Sequence, residues 1–412
     1  MDSICKIFKI GRGPSSSHTM GPARAAVFYK SKFPDAARYR VTLYGSLSLT
    51  GKGHLTDVAI YDILGEDKTE IIWSSEFKQR HPNALLFEAL DTNENAVNSW
   101  LVYSIGGGEI VDEDGIFNND VANIYPHTQM KDILQWCHES GRSYWEYVEA
   151  HEPKGFWKHL AEVWQVMKQS VERGIDKDGV LSGGLGLRRK AASYYVKAIA
   201  YKDSLRGRCL TFAYALATAE ENASCGRIVT APTCGSAAVL PAILYHCHKT
   251  HGHSDEQILK ALATAGLFAN VVKENASISG AEVGCQGEIG VACAMAAAAA
   301  NQLFGGSIFQ IEYAAEMGLE HHLGLTCDPI CGLVQIPCIE RNAFAALRAL
   351  DSNLYSMMSD GKHIVSFDKV VETMRLTGKD IPSLYKETAE GGLAIVGKPL
   401  QSGCDCRLPN IE

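Results

Sequence analysis

The run "IGVACAMAAAAA", Ile289 to Ala300, constrains the fold more than any other stretch of this chain. It carries no charged residue, and alanine is the strongest helix former. A helix apolar all round has to be buried. The run is also too short to cross a bilayer, which takes about 20 apolar residues. It therefore reads as a buried helix, and 412 residues are enough for two or three domains to surround it.

The flanking sequence says what surrounds it. From about Tyr125 onward, apolar residues recur at spacings of three and four. "YWEYVEAHEPKGFWKHLAEVWQVMKQSVERG" (144–174) reads as a helix, and further helices are expected at 189–201, 206–221, 235–249, 256–273, 287–303, 309–322 and 339–350. The first 120 or so residues have a different texture. "YRVTLYGSLSLTG" (39–51), "LLFEAL" (85–90) and "WLVYSIGGGEIV" (100–111) read as strands, and "GPARAAVFYKSKF" (21–33) as a helix between them. The expected fold is an α+β N-terminal domain, residues 1–124, followed by a mostly α-helical domain, 125–395, and a tail, 396–412.

Charge narrows the partners. The net charge is −8, and the longest basic run is Arg188-Arg189-Lys190. Nothing there is suited to following a phosphate backbone, so no nucleic-acid partner is expected. No membrane partner or signal peptide is expected either, since the N-terminus lacks a long apolar stretch. "GSLSLTGKG" (45–53) has the wrong spacing for a phosphate loop, and Gly53 stands where Ser or Thr is needed.

Thirteen cysteines, an odd number scattered over the chain, do not suggest a disulfide framework. They point to a reducing, cytoplasmic setting. Three lie at loop or helix boundaries beside Gly or Pro: Cys285 in "EVGCQGE", Cys327 in "LGLTCDPI" and Cys338 in "VQIPCIERNA". Three thiolates can hold an iron–sulfur cubane and leave one iron open. Free cysteine is also among the most buried residue types, and Cys225, Cys234 and Cys331 have similar neighbours. Context alone leaves both readings standing.

Several long strings resemble the iron–sulfur-dependent L-serine dehydratases. They are "FKIGRGPSSSHTMGPARAA" (8–26), "YGSLSLTGKGHLTD" (44–57), "YSIGGGEIVDE" (103–113), "GRIVTAPTCGSAAVLPAIL" (226–244), "NASISGAEVGCQGEIGVACAMAAA" (275–298) and "LEHHLGLTCDPICGLVQIPCIERNA" (319–343). The resemblance implies a β-type then an α-type domain on one chain. It implies a 4Fe-4S cluster on Cys285, Cys327 and Cys338, and L-serine as the small-molecule substrate. A homodimer is consistent with it, and no pyridoxal phosphate is expected. The N-terminal domain is shorter than in many bacterial members between Asp67 and Trp100. The tail also departs from the family pattern: many members end just after "GGLA" with a terminal cysteine, whereas here the chain runs on to Cys404 and Cys406 with six more residues after them.

Dehydrating serine means removing a weakly acidic Cα proton and a poor hydroxide leaving group. An open iron suits the second step, and a histidine suits the first. His18 in "PSSSHT" and His54 in "GKGHLTD" are the candidate catalytic residues. Ser15, Ser16 and Ser17, with Thr230, Thr233 and Ser236 of "TAPTCGS", are candidate carboxylate-binding residues. His81 and Asn83 of "HPN" resemble an effector-binding element. The same cluster would also serve a lyase acting on L-cysteine or L-threonine, or a non-catalytic iron–sulfur sensor.

Overall fold

A computed structural model describes residues 1–113, 115–116 and 123–397. The predicted Cys404 and Cys406 lie outside the described residues.

The expected α+β region followed by a mostly helical region is what the structure has. Strands β1 (Ile10–Arg12), β2 (Arg38–Leu43), β3 (Thr69–Trp73), β4 (Ala84–Leu90), β5 (Ala96–Gly106), β6 (Glu109–Asp112) and β7 (Gly115–Ile116) fall in the first part, and β8 (Arg227–Val229) in the second. Six of them form one sheet in the order β3-β2-β4-β5-β6-β7. Only the β2–β3 pair is parallel, with Tyr39 opposite Thr69. A parallel pair needs a crossover, and the chain between β2 and β3 supplies helices Ser46–Thr50 and Thr56–Leu64. One face of the sheet buries Val41, Leu43, Leu85, Phe87 and Val102 against Ala25, Ala26 and Tyr29 of helix Gly21–Lys32, and against Ile60 and Leu64.

The mostly helical region runs from Met130 to Val396. At its centre lies helix Ile289–Leu303, in which every residue from Ile289 to Asn301 is buried. Alanine lets the surrounding helices come close. A Cβ on Gly318 of helix Ile308–Glu320 would lie 2.9 Å from the backbone of Ala294.

Three predicted elements differ in detail. The strand expected over 39–51 ends at Leu43, and Ser46–Thr50 is helical. Gly45, at φ +55°, makes the turn between them. The segment 100–111 is not one strand but parts of two, β5 and β6, which reverse through Gly106, Gly107 and Gly108, all at positive φ. The helix expected over 144–174 is two, Tyr144–His151 and Phe156–Ile175. Pro153 pushes the preceding residue to extended backbone, and Glu152 sits at ψ 147°.

The N-terminus crosses between the two regions. Met1, Ile4, Ile7 and Phe8 are buried in the helical core. The carboxylate of Glu152 accepts hydrogen bonds from Ser3 Oγ (2.6 Å) and from the backbone N–H of Ile4 (2.7 Å). Strand β1 pairs antiparallel with β8, Ile10 opposite Val229. No helix among the described residues is long and apolar enough to cross a membrane.

Candidate active site

His18 lies in a single wide turn, Ser16–Met20, that opens into helix Gly21–Lys32. Ser15 caps the turn, its hydroxyl accepting from His18 N–H at 3.1 Å. His54 lies on the short turn after Ser46–Thr50. Two hydroxyls tie these segments together: Thr19 Oγ1 donates to His54 O (2.7 Å) and Thr56 Oγ1 to His18 O (2.6 Å). Both rings are buried, with centroids 4.4 Å apart.

The hydrogen bonds fix the tautomers. A carbonyl only accepts, so the 2.9 Å contact from His54 Nδ1 to Thr50 O puts the proton on Nδ1. That leaves Nε2 of His54 with a lone pair. Ser46 Oγ spends its one proton on Glu387 O at 2.6 Å. It therefore accepts from His18 Nε2, 3.0 Å away. His18 Nδ1 in turn accepts from Ser17 Oγ at 2.9 Å. Both of His18's nitrogens are thus engaged, whereas His54 keeps one free. Burial holds both rings neutral: it pushes His54 down to about 4, and His18 well below the usual imidazole range with the neighbouring His54 adding to it.

Glu387, which sequence reasoning did not single out, faces this pair. Its Oε1 lies 3.3 Å from His18 Nδ1 and 3.7 Å from His54 Nε2. Its other oxygen, Oε2, is buried with no hydrogen-bond partner among the described residues. Burial, with Glu288 nearby, raises this carboxyl well above the usual range. Glu387 lies in "YKETAEGGLAI" (385–395), an aperiodic, glycine-containing segment that gives no local sign of a site.

The three candidate cysteines come from separate breaks in the helical region. Cys285 opens a short 3₁₀ turn before helix Ile289–Leu303, and Cys338 opens helix Cys338–Met357. Cys327 sits in a loop that bridges in parallel to Lys386. All three are buried. Cys285 Sγ and Cys327 Sγ each lie 3.9 Å from Glu288 Oε2. Burial and Cys285 raise the Cys338 thiol, while a hydrogen bond to Cys285 and burial raise that of Cys327. Arg341, despite its own burial, is kept firmly protonated by Cys285, Cys338 and Cys327 together. The glycines leave room: a Cβ on Gly280 would meet Glu288 Oε2 at 2.7 Å and Cys327 Sγ at 3.4 Å. Convergent thiols beside a half-buried cation fit a group held by thiolates, because such a group displaces the thiol protons.

The two clusters are one centre. Glu387 N–H donates to Cys327 O (2.8 Å), and Cys327 N–H donates to Tyr385 O (2.8 Å). A Cβ on Gly53, next to His54, would lie 2.8 Å from Gly332 O.

The remaining predicted residues divide. Thr233 Oγ1 donates to Glu288 Oε1 at 2.7 Å, and Ser236 Oγ lies 3.2 Å from Thr233. These two therefore line the thiol side. Thr230 is committed elsewhere: its hydroxyl donates to Ile7 O and accepts from Lys9 N–H, clamping the N-terminal strand. Ser15, Ser16 and Ser17 are all buried around His18. His81 is buried with Nε2 3.5 Å from Glu282 Oε1, three residues before Cys285. Asn83 Nδ2 donates to Ser104 O (3.3 Å). Asn83 Oδ1, Ser104 Oγ and Ser279 Oγ are buried without partners among the described residues, and the His81–Glu282 contact ties the "HPN" element to the segment just before Cys285.

Comparison with known proteins adds a second line. Residues 3–71 match the family described as serine dehydratase beta chain, and residues 82–394 that described as serine dehydratase alpha chain. The two matches divide within the sheet, between β3 and β4. An L-serine dehydratase of Streptomyces coelicolor is 41% identical, covering 95% of this chain and 98% of its own. L-serine dehydratase 1 of Escherichia coli is 40% identical (96% and 99%), and that of Helicobacter pylori 36% (95% and 98%).

Proposed function

The chain belongs to the L-serine dehydratase family, and we propose that its reaction runs where the buried His18–His54 pair meets Cys285, Cys327 and Cys338. The protein is an L-serine ammonia-lyase, turning L-serine into pyruvate and ammonia. The observation that carries the placement is the Glu387–Cys327 backbone bond, which sets the histidines from the first 60 residues against the thiols from the last 130.

In this reading Cys285, Cys327 and Cys338 hold the family's 4Fe-4S cluster. When bound, that cluster supplies an open Lewis-acid iron for the β-hydroxyl and carboxylate of serine. The rest of the chemistry belongs to the chain's own groups. His54 is the base for the Cα proton, because its Nε2 carries a free lone pair while the ring is held by Thr50 O. His18, engaged at both nitrogens, supports it. Ser15 and Ser16 bring hydroxyls to the substrate's carboxylate, while Ser17, Thr233 and Ser236 spend theirs on His18, Glu288 and Ala231 O and shape the site around it. Arg341 offsets the negative charge of three thiolates. Aminoacrylate then tautomerises and hydrolyses to products. The division into residues 1–124, 125–395 and 396–412, a cytoplasmic setting and a homodimer complete the proposal.

The test is the chain reconstituted anaerobically with iron and sulfide, then given L-serine, L-threonine or L-cysteine. Pyruvate from L-serine at the highest kcat/KM supports the reading. Preference for L-cysteine, or a fully loaded protein without turnover, contradicts it.

A further inference from the structure

We infer that Glu387 is the positioning residue for the histidine pair, and that it couples this pair to the loop of Cys327. The inference rests on the reading just given and adds a residue to it. Three sets of contacts meet at this one position. Its carboxyl Oε1 lies between His18 Nδ1 (3.3 Å) and His54 Nε2 (3.7 Å). Its carbonyl accepts from Ser46 Oγ at 2.6 Å, and Ser46 Oγ in turn accepts from His18. Its N–H donates to Cys327 O at 2.8 Å. Side chain and backbone thus hold opposite sides of the centre.

The backbone here is not relaxed. Glu387 has φ +61°, in the left-handed region that costs a residue with a Cβ about 1–2 kcal/mol. Such a conformation persists only where the surroundings over-determine it, and they do so here. The segment is tied on both sides: Cys327 N–H donates to Tyr385 O (2.8 Å), and Leu393 N–H to Asp328 Oδ2 (2.9 Å). Asp328 is itself fixed by Arg341 at 3.3 Å. A shift of the Cys327 loop therefore moves the Glu387 carboxyl relative to the two rings it faces.

Glu387 Oε2 is buried with no hydrogen-bond partner among the described residues, an arrangement that costs free energy. His54 is held through Nδ1 by Thr50 O at 2.9 Å, and Glu387 Oε1, 3.7 Å from Nε2, faces its free nitrogen. Misplacing a catalytic group by about 1 Å costs roughly 10²-fold in rate.

The experiment uses the full-length, cluster-loaded enzyme. Glu387→Ala is expected to keep its iron and sulfide, lower kcat about 10²-fold and leave KM within about 3-fold. Ala keeps the same backbone strain, so the change reads out the carboxyl alone. Glu387→Gln, whose amide N–H can still reach the ring nitrogens, is expected to recover activity to within about 5-fold of wild type. In a His54→Ala background, Glu387→Ala is expected to add almost nothing, because the two act as a unit. Full activity in Glu387→Ala overturns the inference. So does loss of iron in both Glu387 variants, which would make the residue a scaffold for Cys327. So does an undiminished 10²-fold effect in the His54→Ala background. Full activity of His54→Ala on its own would instead remove His54 as the base, a separate failure.

Discussion

Replacing Gly280 by Ala tests the thiol side of the centre with a single methyl group. That methyl would lie 2.7 Å from Glu288 Oε2, 3.2 Å from its carboxyl carbon and 3.4 Å from Cys327 Sγ. Ordinary contacts start near 3.4 Å, so the carboxylate would have to give by more than half an ångström. It has little freedom, because Thr233 holds one oxygen at 2.7 Å and the other lies 3.9 Å from both Cys285 Sγ and Cys327 Sγ. The overlap passes to the Cys327 loop or to Cys285, at the ~1–3 kcal/mol typical of overpacking. At about 1.4 kcal/mol per decade, that is roughly 5- to 150-fold weaker retention of the thiolate-bound group. The assay is iron and acid-labile sulfide per chain after anaerobic reconstitution and gel filtration, beside the thermal midpoint. Gly207→Ala is the control, since its Cβ would meet only His246 Cε1, at 3.5 Å, inside helix Asp203–Ala223. Helix propensity there favours Ala by roughly 1 kcal/mol. Gly280→Ala protein with the iron, sulfide and turnover of wild type would refute the reasoning.

Other perturbations have defined outcomes. Cys285→Ser and Cys338→Ser are each expected to lose iron and activity together. Cys293→Ser keeps both at a cost of about 1 kcal/mol, since Cys293 is buried in the core with its thiol on Ala345 O. Phe8→Ala is expected to destabilise the helical region by ~3–5 kcal/mol, measured by denaturant unfolding, because Phe8 is fully buried in that core. Glu109, between Lys9 (3.3 Å) and Lys273 (2.8 Å), joins the sheet to the helices. Burial alone would raise its carboxyl, but the two cations bring it down to about 2. A depressed carboxylate stabilises above its unfolded value and loses that contribution as pH falls from about 4.5 toward 2. Burial pushes Lys9 down to about 8, a cost that stays constant over this acid range. The fall of Glu109 from 4.5 to about 2 is worth roughly 3 kcal/mol. Glu109→Gln should flatten the acid side of the stability curve by that amount, and an unchanged curve would count against the pairing.

What was legible in the sequence followed from short-range physics. The alanine run had only one place to go, and helix periodicity marked most of the helical region. What was hidden depended on contacts distant in sequence. Ser46 sat in a run that alternates like a strand, and only the turn at Gly45 makes it helical. Thr230 stood in a string that promised a substrate contact, yet its hydroxyl binds Ile7 and Lys9, 221 or more residues away. Glu288 was visible as a carboxylate beside Cys285, but nothing local shows that it spans two thiols. Glu387 had no periodicity to mark it, and its role appears only when the C-terminal segment is threaded between Cys327 and His18.

The central claim is that histidines from the first part of the chain and thiols from the second serve one reaction with separable duties. The most direct measurement is iron and sulfide content beside pyruvate formation in His54→Ala and Cys327→Ser, prepared anaerobically in parallel with wild type. The account predicts that His54→Ala retains a full complement of iron and sulfide while turnover falls about 10²–10⁴-fold, the usual contribution of a general base. Cys327→Ser should lose metal and turnover together. A His54→Ala enzyme that turns over L-serine at the wild-type rate, or a Cys327→Ser enzyme with wild-type iron and activity, would contradict it.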